Sequence, residues 1–508
     1  MTRVAVATTS QLAADAAGAV ANRGGNAVDC ALAAALLTMN TEPGVCALAG
    51  SAFVTVYIPG NAPVTIDGNT AVPGLGLDTA DLGGGAESVT LTYGGGITTL
   101  AGAGSVAVPG SLAAIEAAWR RYGRASWTDL FTPTIDAVTE GFPLSAACHY
   151  YLGYSGEAIF NRSDDGFFAL HDNDRDLLDP GSSIRIPHLA DSLSAIAEEG
   201  ARVFYEGELG KAIAGHVRER GGALTREDLA AYEAVERPSL SVDVGRWSIA
   251  SNPLPAVGGT TLAAMLLACR DLPHKDWRRE SLQQLVGIQR AVLCYRKDRL
   301  DLAQDLDGCA AALLEQARRG DLPGSRASAS TVHTSAVDDN GIACAVTASS
   351  GYGSGEMPEG TGLWLNNCLG ELELNRRGLS AGPPGLRLPS NMSPSVARSG
   401  TRVLAIGSPG ADRITTALHQ FLVNYLQFGM PLERAIAHPR VHVDTSGDNV
   451  RLMAEPGLDL PDVDMPLHVT KPLSMYFGGV GAALYDSSRG FAVAADPRRE
   501  GGTIIVDG

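Results

Sequence analysis

Ser330-Thr331-Val332-His333-Thr334-Ser335-Ala336-Val337-Asp338 is a short β-type run of hydroxyl residues with one histidine, and it ends at an Asp338-Asp339-Asn340-Gly341 turn. Taken alone, the run fits a polar edge strand. It also fits a threonine whose own backbone nitrogen, once freed by chain cleavage, serves as the base for its hydroxyl. Nucleophile and base then share one residue. The choice between these readings decides the fold, and it depends on what surrounds the run.

On its N-terminal side, Arg318-Arg319-Gly320-Asp321-Leu322-Pro323-Gly324-Ser325-Arg326-Ala327-Ser328 is polar, small and turn-rich, the composition of an exposed linker. On its C-terminal side, Val332 to Asp338 and Ile342 to Ser349 read as two strands around Asn340-Gly341, a strong hairpin signal. If Asn340 and Gly341 are the two loop residues, Asp339 faces Ile342, Val332 faces Ser349 and Thr331 faces Ser350. A different loop length moves this register by a residue or two. In each case the first strand begins beside Thr347, Ser349 and Ser350. A linker feeding a strand whose first residue meets a hydroxyl cluster favours a processing site. By period-two alternation His333 shares the face of Thr331, where it reads as a structural histidine, the α-amine already filling the role of base.

Further upstream the pattern is mostly helical. Leu12 to Arg23 stops at Gly24-Gly25, Asn26 can cap a helix from Ala27 to Thr38, and Ala52 to Tyr57 reads as a strand. The Gly-rich stretch from Gly83 to Gly104 reads as loop plus one strand around Val89-Thr90-Leu91-Thr92. Ser111 is a candidate helix cap, and Thr225 with Asp228 has capping-box spacing. Past the hairpin, Leu404-Ala405-Ile406 reads as a strand, and Ile414, Ala417, Leu418, Phe421, Leu422 and Tyr425 form one face of the following helix. Taken alone, the turn between them, at Gly410 and Ala411, reads as a simple helix start whose N–H groups are free to face an anion.

The 508 residues, 45% apolar and 19% charged, have ample material for a large core. Thirty-nine basic against 56 acidic residues give a net charge of −17, and the basic clusters are short and mixed with acids. Nucleic acid and anionic membranes are therefore poor partners. The eight cysteines lack CxxC or His-Cys ligand spacing, so no metal, no cofactor and no disulfide framework is expected. The longest apolar stretch, Cys30 to Met39, is too short to span a bilayer, and the N-terminus has too little apolar length for an export signal. A cytoplasmic location is expected.

Several blocks, in order along the chain, resemble the γ-glutamyltransferase family of N-terminal nucleophile hydrolases. They are Arg23-Gly24-Gly25-Asn26-Ala27-Val28-Asp29, Val108-Pro109-Gly110, Glu140-Gly141-Phe142-Pro143, Gly258-Gly259-Thr260, Thr331-Val332-His333-Thr334-Ser335, Leu365-Asn366-Asn367, Ser390-Asn391-Met392-Ser393-Pro394 and Gly407-Ser408-Pro409-Gly410. The resemblance implies an α+β fold, a four-layer αββα sandwich with two antiparallel sheets between helical layers. It implies self-cleavage between Ser330 and Thr331 into a large subunit, 1–330, and a small one, 331–508, that stay together as a heterodimer in one composite domain. Thr331 is then nucleophile and, through its new α-amine, base. Thr347 and Ser349 stand where the family has hydroxyls near the nucleophile, Ser349 being favoured for orienting it. Gly410 and Ala411 match the oxyanion segment, and Asn367, Glu371, Ser390 and Asn391 the substrate loops.

The departures from the family pattern bear on substrate. The family holds the α-carboxylate of its glutamyl group with an Arg from the N-terminal half, but no Arg occurs here between Pro59 and Trp119. Cys368, Gly370 and Glu371 replace the family's Gln and paired Asp, and Asn391 replaces a Ser. The expected enzyme is a self-processing hydrolase or acyltransferase cleaving an amide of a small molecule other than glutathione through an acyl-enzyme. The alternative is the same machinery removing an oxalyl-type fragment by carbon–carbon cleavage, as in natural-product pathways to alkylproline units. A second alternative is an unprocessed, non-catalytic binding scaffold.

Overall fold

The computed structural model describes residues 2–78, 82–92, 96–320, 322, 331–445 and 450–507. Two antiparallel sheets form its centre. In the first, the order across the sheet is Gly502–Val506, Val4–Thr8, Val332–Asp338, Ala343–Ser349, Ser51–Tyr57, Val64–Gly68 and Val235–Pro238. In the second it is Gly490–Ala495, Gly481–Asp486, Arg402–Gly407, Ser395–Ser399, Trp247–Ser251 and Leu240–Val244. The core between the sheets is built from small residues, among them Ala5, Ala250, Ala343, Ala345, Ala405 and Ala483, which let the two backbones approach closely.

Each outer face carries helices. Gln11–Asn22, Ala27–Thr41, Ser111–Tyr122 and Trp127–Glu140 share one core with the first sheet. Val257–Ala268, Arg279–Tyr295 and Arg413–Leu422 share another with the second. The fold is thus the expected α+β sandwich in four layers, αββα. Both sheets take strands from either side of Thr331, so neither segment closes a core alone. No helix among the described residues is long and apolar enough to cross a membrane.

Local signals held where side chains make the caps. Asn26 caps Ala27–Thr41 in a capping box with Asp29, and Thr225 does the same with Asp228. The buried helix runs to Thr41, three residues beyond the expectation, and Thr38 and Thr41 satisfy their buried hydroxyls on carbonyls four residues earlier. Ser111 is the first helical residue rather than the cap; its hydroxyl is donated to Leu48 O. The Gly-rich segment holds a hairpin of two strands, Glu87–Leu91 and Ile97–Ala101, where one was expected. The helix Leu306–Arg319 takes the first part of the expected linker and ends at Gly320 in the left-handed region. Most of the remaining linker, Ser330 included, lies outside the described residues.

The hairpin register differs from expectation by one residue. Val332 pairs with Ala348 and Val337 with Ala343, so the loop has three residues, Asp339, Asn340 and Gly341, instead of two. Asp338 causes this. Its carboxylate accepts from Asn340 N at 3.0 Å and Ile342 N at 3.1 Å, and Gly341 closes the turn at φ +79°. The slip matters for the site, because continuing the ladder by one position puts Thr331 opposite Ser349 rather than Ser350.

Candidate active site

Thr331 stands one residue before the strand Val332–Asp338, at the end of the sandwich opposite the hairpin turn, and is buried. It lines a narrow cavity with Ser349, Ser51 and Ala411, and with Glu371, Ser390 and Asn391 from the loops over the sheets. The cavity measures about 20 Å³, room for about one water in the uncut chain. Ser349 Oγ accepts from Gly351 N at 3.2 Å, and Ser349 O accepts from the Ser51 hydroxyl at 2.9 Å, which fixes the end of the neighbouring strand.

Behind Thr331 lies a locked histidine. His333 Nδ1 is 2.8 Å from the Thr347 hydroxyl, and Nε2 is 2.7 Å from the Ser335 hydroxyl. Ser335 donates its proton to Gly481 O at 3.1 Å, so its oxygen accepts from Nε2–H and Nδ1 accepts from Thr347. Burial pushes the imidazole pKa down to about 3, keeping the ring neutral. The ring packs on Gly407, where a Cβ would stand 2.1 Å from it, and so joins the two sheets. Thr347 therefore does not line the cavity. It pairs with His333 two residues, about 7 Å, from Ser349 along the strand.

The oxyanion candidates sit on the turn between Arg402–Gly407 and Arg413–Leu422. Gly410 has φ +122°, and a Cβ there would lie 2.5 Å from Gly478 Cα, so the position requires glycine. Ala411 holds φ +66° with a side chain present, a conformation costing about 1–2 kcal/mol. Ala411 lines the cavity; Gly410 supports it from behind.

Next in the chain, Asp412 belongs to a network absent from the sequence reading. Arg296, fully buried, donates to Asp412 Oδ1 at 2.9 Å and to Asp301 Oδ1 at 3.1 Å. Asn391 Nδ2 donates to the same Asp412 oxygen at 2.6 Å. Arg296 and Asn391 thus meet on one carboxylate, which ties the loop at Ser390-Asn391 to the turn at Gly410-Ala411. No motif pointed to Arg296; its one sequence signal was a basic residue within an otherwise apolar helical face.

The substrate-loop residues divide. Glu371, Ser390 and Asn391 line the cavity, whereas Asn367 does not. Asn367 accepts from Tyr352 N at 2.7 Å and donates to Thr99 Oγ1 and Leu100 O, each at 3.0 Å, so it shapes the loop from behind. Burial first, and then Glu373 and Asp412, push the Glu371 carboxyl well above the usual carboxylate range. The segment that would carry the family's Arg contributes Asn69 and Thr70 instead. No Lys, Arg or His among the described residues lines the cavity. Arg387 is engaged nearby with Asn69 O at 2.6 Å and with the Tyr232 ring. Among the described residues no cluster of His, Cys, Asp or Glu could hold a metal ion.

A sandwich of two antiparallel sheets with a threonine at one strand end is the architecture of N-terminal nucleophile hydrolases. Residues 13–506 match the family model for gamma-glutamyltranspeptidase, and the chain belongs to that family. It is 29% identical to the glutathione hydrolase proenzyme of Pseudomonas aeruginosa over 86% of this chain and 82% of the relative. It is 27% identical to the glutathione hydrolase proenzyme of Escherichia coli over 88% and 81%. Among solved structures, the cephalosporin acylase of Bacillus halodurans superimposes with a TM-score of 0.81 at 22% identity, covering 100% of this chain and 96% of the acylase. The protein is a hydrolase or acyltransferase of this family.

Proposed function

We propose that the chain cuts itself before Thr331 and then cleaves an amide bond of a small molecule other than glutathione. In the first step the Thr331 hydroxyl attacks the carbonyl of Ser330, the peptide bond shifts to an ester, and water hydrolyses it. Residues 1–330 and 331–508 remain one interleaved body. The freed α-amine of Thr331 takes the hydroxyl proton as the oxygen attacks the substrate carbonyl, then returns it to the departing amine. Ser349 orients the hydroxyl, and the Ala411 N–H, with Gly410 shaping its turn, faces the oxyanion. Thr347 acts at one remove, holding His333 and with it the strand. Ser330, as acyl donor, has no further role after the cut.

The observation that carries this reading is the placement of Thr331 at a strand end, facing Ser349 and Ala411 across one buried cavity. The relatives are named as proenzymes, which supports the cut. Glutathione is disfavoured because no Lys, Arg or His among the described residues lines the cavity to meet a glutamyl carboxylate; losing one buried charge clamp costs about 2–5 kcal/mol. The small size of the cavity fits a precursor that admits substrate only after cleavage.

Denaturing electrophoresis with intact-mass analysis tests the proposal. The expected result is two fragments, the smaller beginning at Thr331, and one chain near 52.7 kDa for Thr331→Ala. A wild-type protein that stays whole, or cleavage that survives Thr331→Ala, would remove Thr331 from its role. Product masses from candidate amides and activated ketones then separate amide from carbon–carbon cleavage.

A further inference from the structure

At the end of the sandwich opposite Thr331, a cleft of about 690 Å³ takes its walls from both sheets, a size that suits a small-molecule site. Four hairpin turns meet there. Three turn on a glycine in the left-handed region, Gly245 at φ +58°, Gly341 at +79° and Gly400 at +59°, and the fourth contributes Ser487. The same cleft gathers three guanidinium groups, those of Arg246, Arg398 and Arg402. On a chain of net charge −17 that concentration of cations stands out.

Strand alternation sets where the arginines stand. Val396 belongs to the core between the sheets, so Arg398, two residues on, faces the same way, and its guanidinium lies over the Tyr57 ring of the first sheet, 5.3 Å from the centroid. Arg402 pairs with Ser399 and faces the helical side, where it lies 4.9 Å from the Trp247 ring centroid and meets the Tyr425 hydroxyl, with Arg246 close by. A guanidinium over a ring keeps its N–H edge free for an oxyanion. Among the described residues none of the three is ion-paired, whereas surface arginines elsewhere are, as Arg23 with Asp129 and Arg279 with Asp459. Asp243 and Asp339 line the cleft without pairing with them, and Asp486 beside Arg402 is bonded to Ser488 and Thr401. Oriented, unpaired guanidinium groups beside glycine turns are the chemistry that holds phosphate and carboxylate oxygens.

We propose that this cleft binds a small polyanion of phosphate or carboxylate type, with one anionic group at Arg398 between the sheets and a second at Arg402 and Arg246 past the Gly400 turn. The rings are already covered by the arginines, so recognition rests on the oxyanions. This site goes beyond the reaction proposed above and does not depend on it. The strand Val332–Asp338, about 23 Å of chain, lies between the cleft and the Thr331 cavity.

Calorimetric titration of the full-length protein at low salt with tripolyphosphate, citrate and acetate tests the site. Tripolyphosphate or citrate should bind once per chain, at least tenfold more tightly than acetate, and the tighter of the two tells phosphate from carboxylate. Arg398→Gln and Arg402→Gln should each weaken binding about tenfold or more, and added salt should weaken it in the wild type. Arg279→Gln, at a paired surface arginine, should leave affinity unchanged, and so should Thr331→Ala. Thermal unfolding gives a second readout: saturating tripolyphosphate or citrate should raise the Tm of the wild type and not that of Arg398→Gln. No binding of either polyanion, acetate binding as tightly, or affinity that survives both arginine substitutions overturns the proposal. Affinity lost in Thr331→Ala also overturns it, by placing the anion in the other cavity. The titration reads alike on cut and uncut chain, so a failure of self-cleavage would refute the mechanism and leave this site to be judged on its own.

Discussion

Replacing Arg296 with methionine tests the ion cluster under the oxyanion turn. The guanidinium is fully buried and lies 2.9 Å from Asp412 and 3.1 Å from Asp301, whose side chains are no more than 1% exposed. Removing one partner of a buried pair costs about 3–5 kcal/mol, because the other is left charged and unsolvated. Two carboxylates would be stranded here, but each can escape by taking a proton. Burial already holds both above the usual carboxylate range with Arg296 in place. Without it their folded pKa values rise further, while the unfolded values stay near the ordinary one. The penalty is therefore smallest at low pH and grows as pH rises toward the new folded pKa, by up to about 1.4 kcal/mol per pH unit for each carboxyl. Urea unfolding of wild type and Arg296→Met at pH 5 and pH 8 measures it. The expected loss at pH 8 is about 3–5 kcal/mol, with a visibly smaller loss at pH 5. Adding Asp301→Leu and Asp412→Asn should restore most of the stability. A loss under about 1 kcal/mol, or one independent of pH, would refute the reasoning.

Other consequences can be checked directly. Burial holds His333, His419 and His442 near a pKa of about 3, so below the unfolded value each opposes folding as pH falls. Three buried carboxyls act in the opposite sense until pH reaches their unfolded value: Glu42 and Glu373, raised to about 7, and Glu371, raised well above the usual range. Stability measured by urea titration should thus change little between pH 7 and 4.5. Below that it should drop by about 1.4 kcal/mol per pH unit for each histidine; a flat profile down to pH 3.5 would contradict this. Gly341→Ala forces a side chain to φ +79° and sets its Cβ 3.3 Å from Pro59 Cγ, which should cost about 1–2 kcal/mol in the same assay. A γ-glutamyl anilide should be turned over at least tenfold more slowly than by the glutathione hydrolase of Escherichia coli, with release of the chromophore as the readout. After cleavage the two fragments should elute together on native size exclusion and separate only in denaturant.

The legible parts of this chain were those where one residue's chemistry sets the local structure. Asn26 and Thr225 marked helix starts because their side chains satisfy orphan N–H groups wherever they stand. Leu404 to Ile406 and the apolar face from Ile414 onward placed the turn at Gly410 and Ala411 correctly between strand and helix. The hairpin was found but its loop was taken one residue short. The Asn-Gly signal favours a two-residue loop, and the winning contact comes from the carboxylate of Asp338, a strand residue. Spacing alone could not divide the site's hydroxyls and amides into those facing the cavity and those behind it. Thr347 and Asn367 resemble site residues in sequence, yet their polar atoms are consumed by His333 and by the loop backbone. Arg296 went unread because one partner, Asp301, lies five residues on in a turn that matches no motif, and the other, Asp412, is brought to it only by the fold.

A nucleophile made by breaking its own chain must be free to react and still unable to leave. The strand after Thr331 satisfies both demands by its rank in the sheet. It is flanked on one side by Val4–Thr8, paired from Val4 with Asp338 to Ala7 with Ser335, and on the other by Ala343–Ser349. The proposed cut before Thr331 would therefore free one residue beyond a strand paired with Ala343–Ser349 from Val332 onward and with Val4–Thr8 from Ser335 onward. The third restraint acts across the sandwich, where His333 packs on Gly407 and Ser335 donates to Gly481 O in the opposite sheet. A neutral ring is needed there, since a charged imidazole between two sheets would be buried without a carboxylate partner. The histidine two residues from the nucleophile thus contributes by staying uncharged. In the proposed mechanism the α-amine of Thr331 is the base, and the hydroxyl pair Thr347 and Ser335, by holding His333, fixes the strand that follows it.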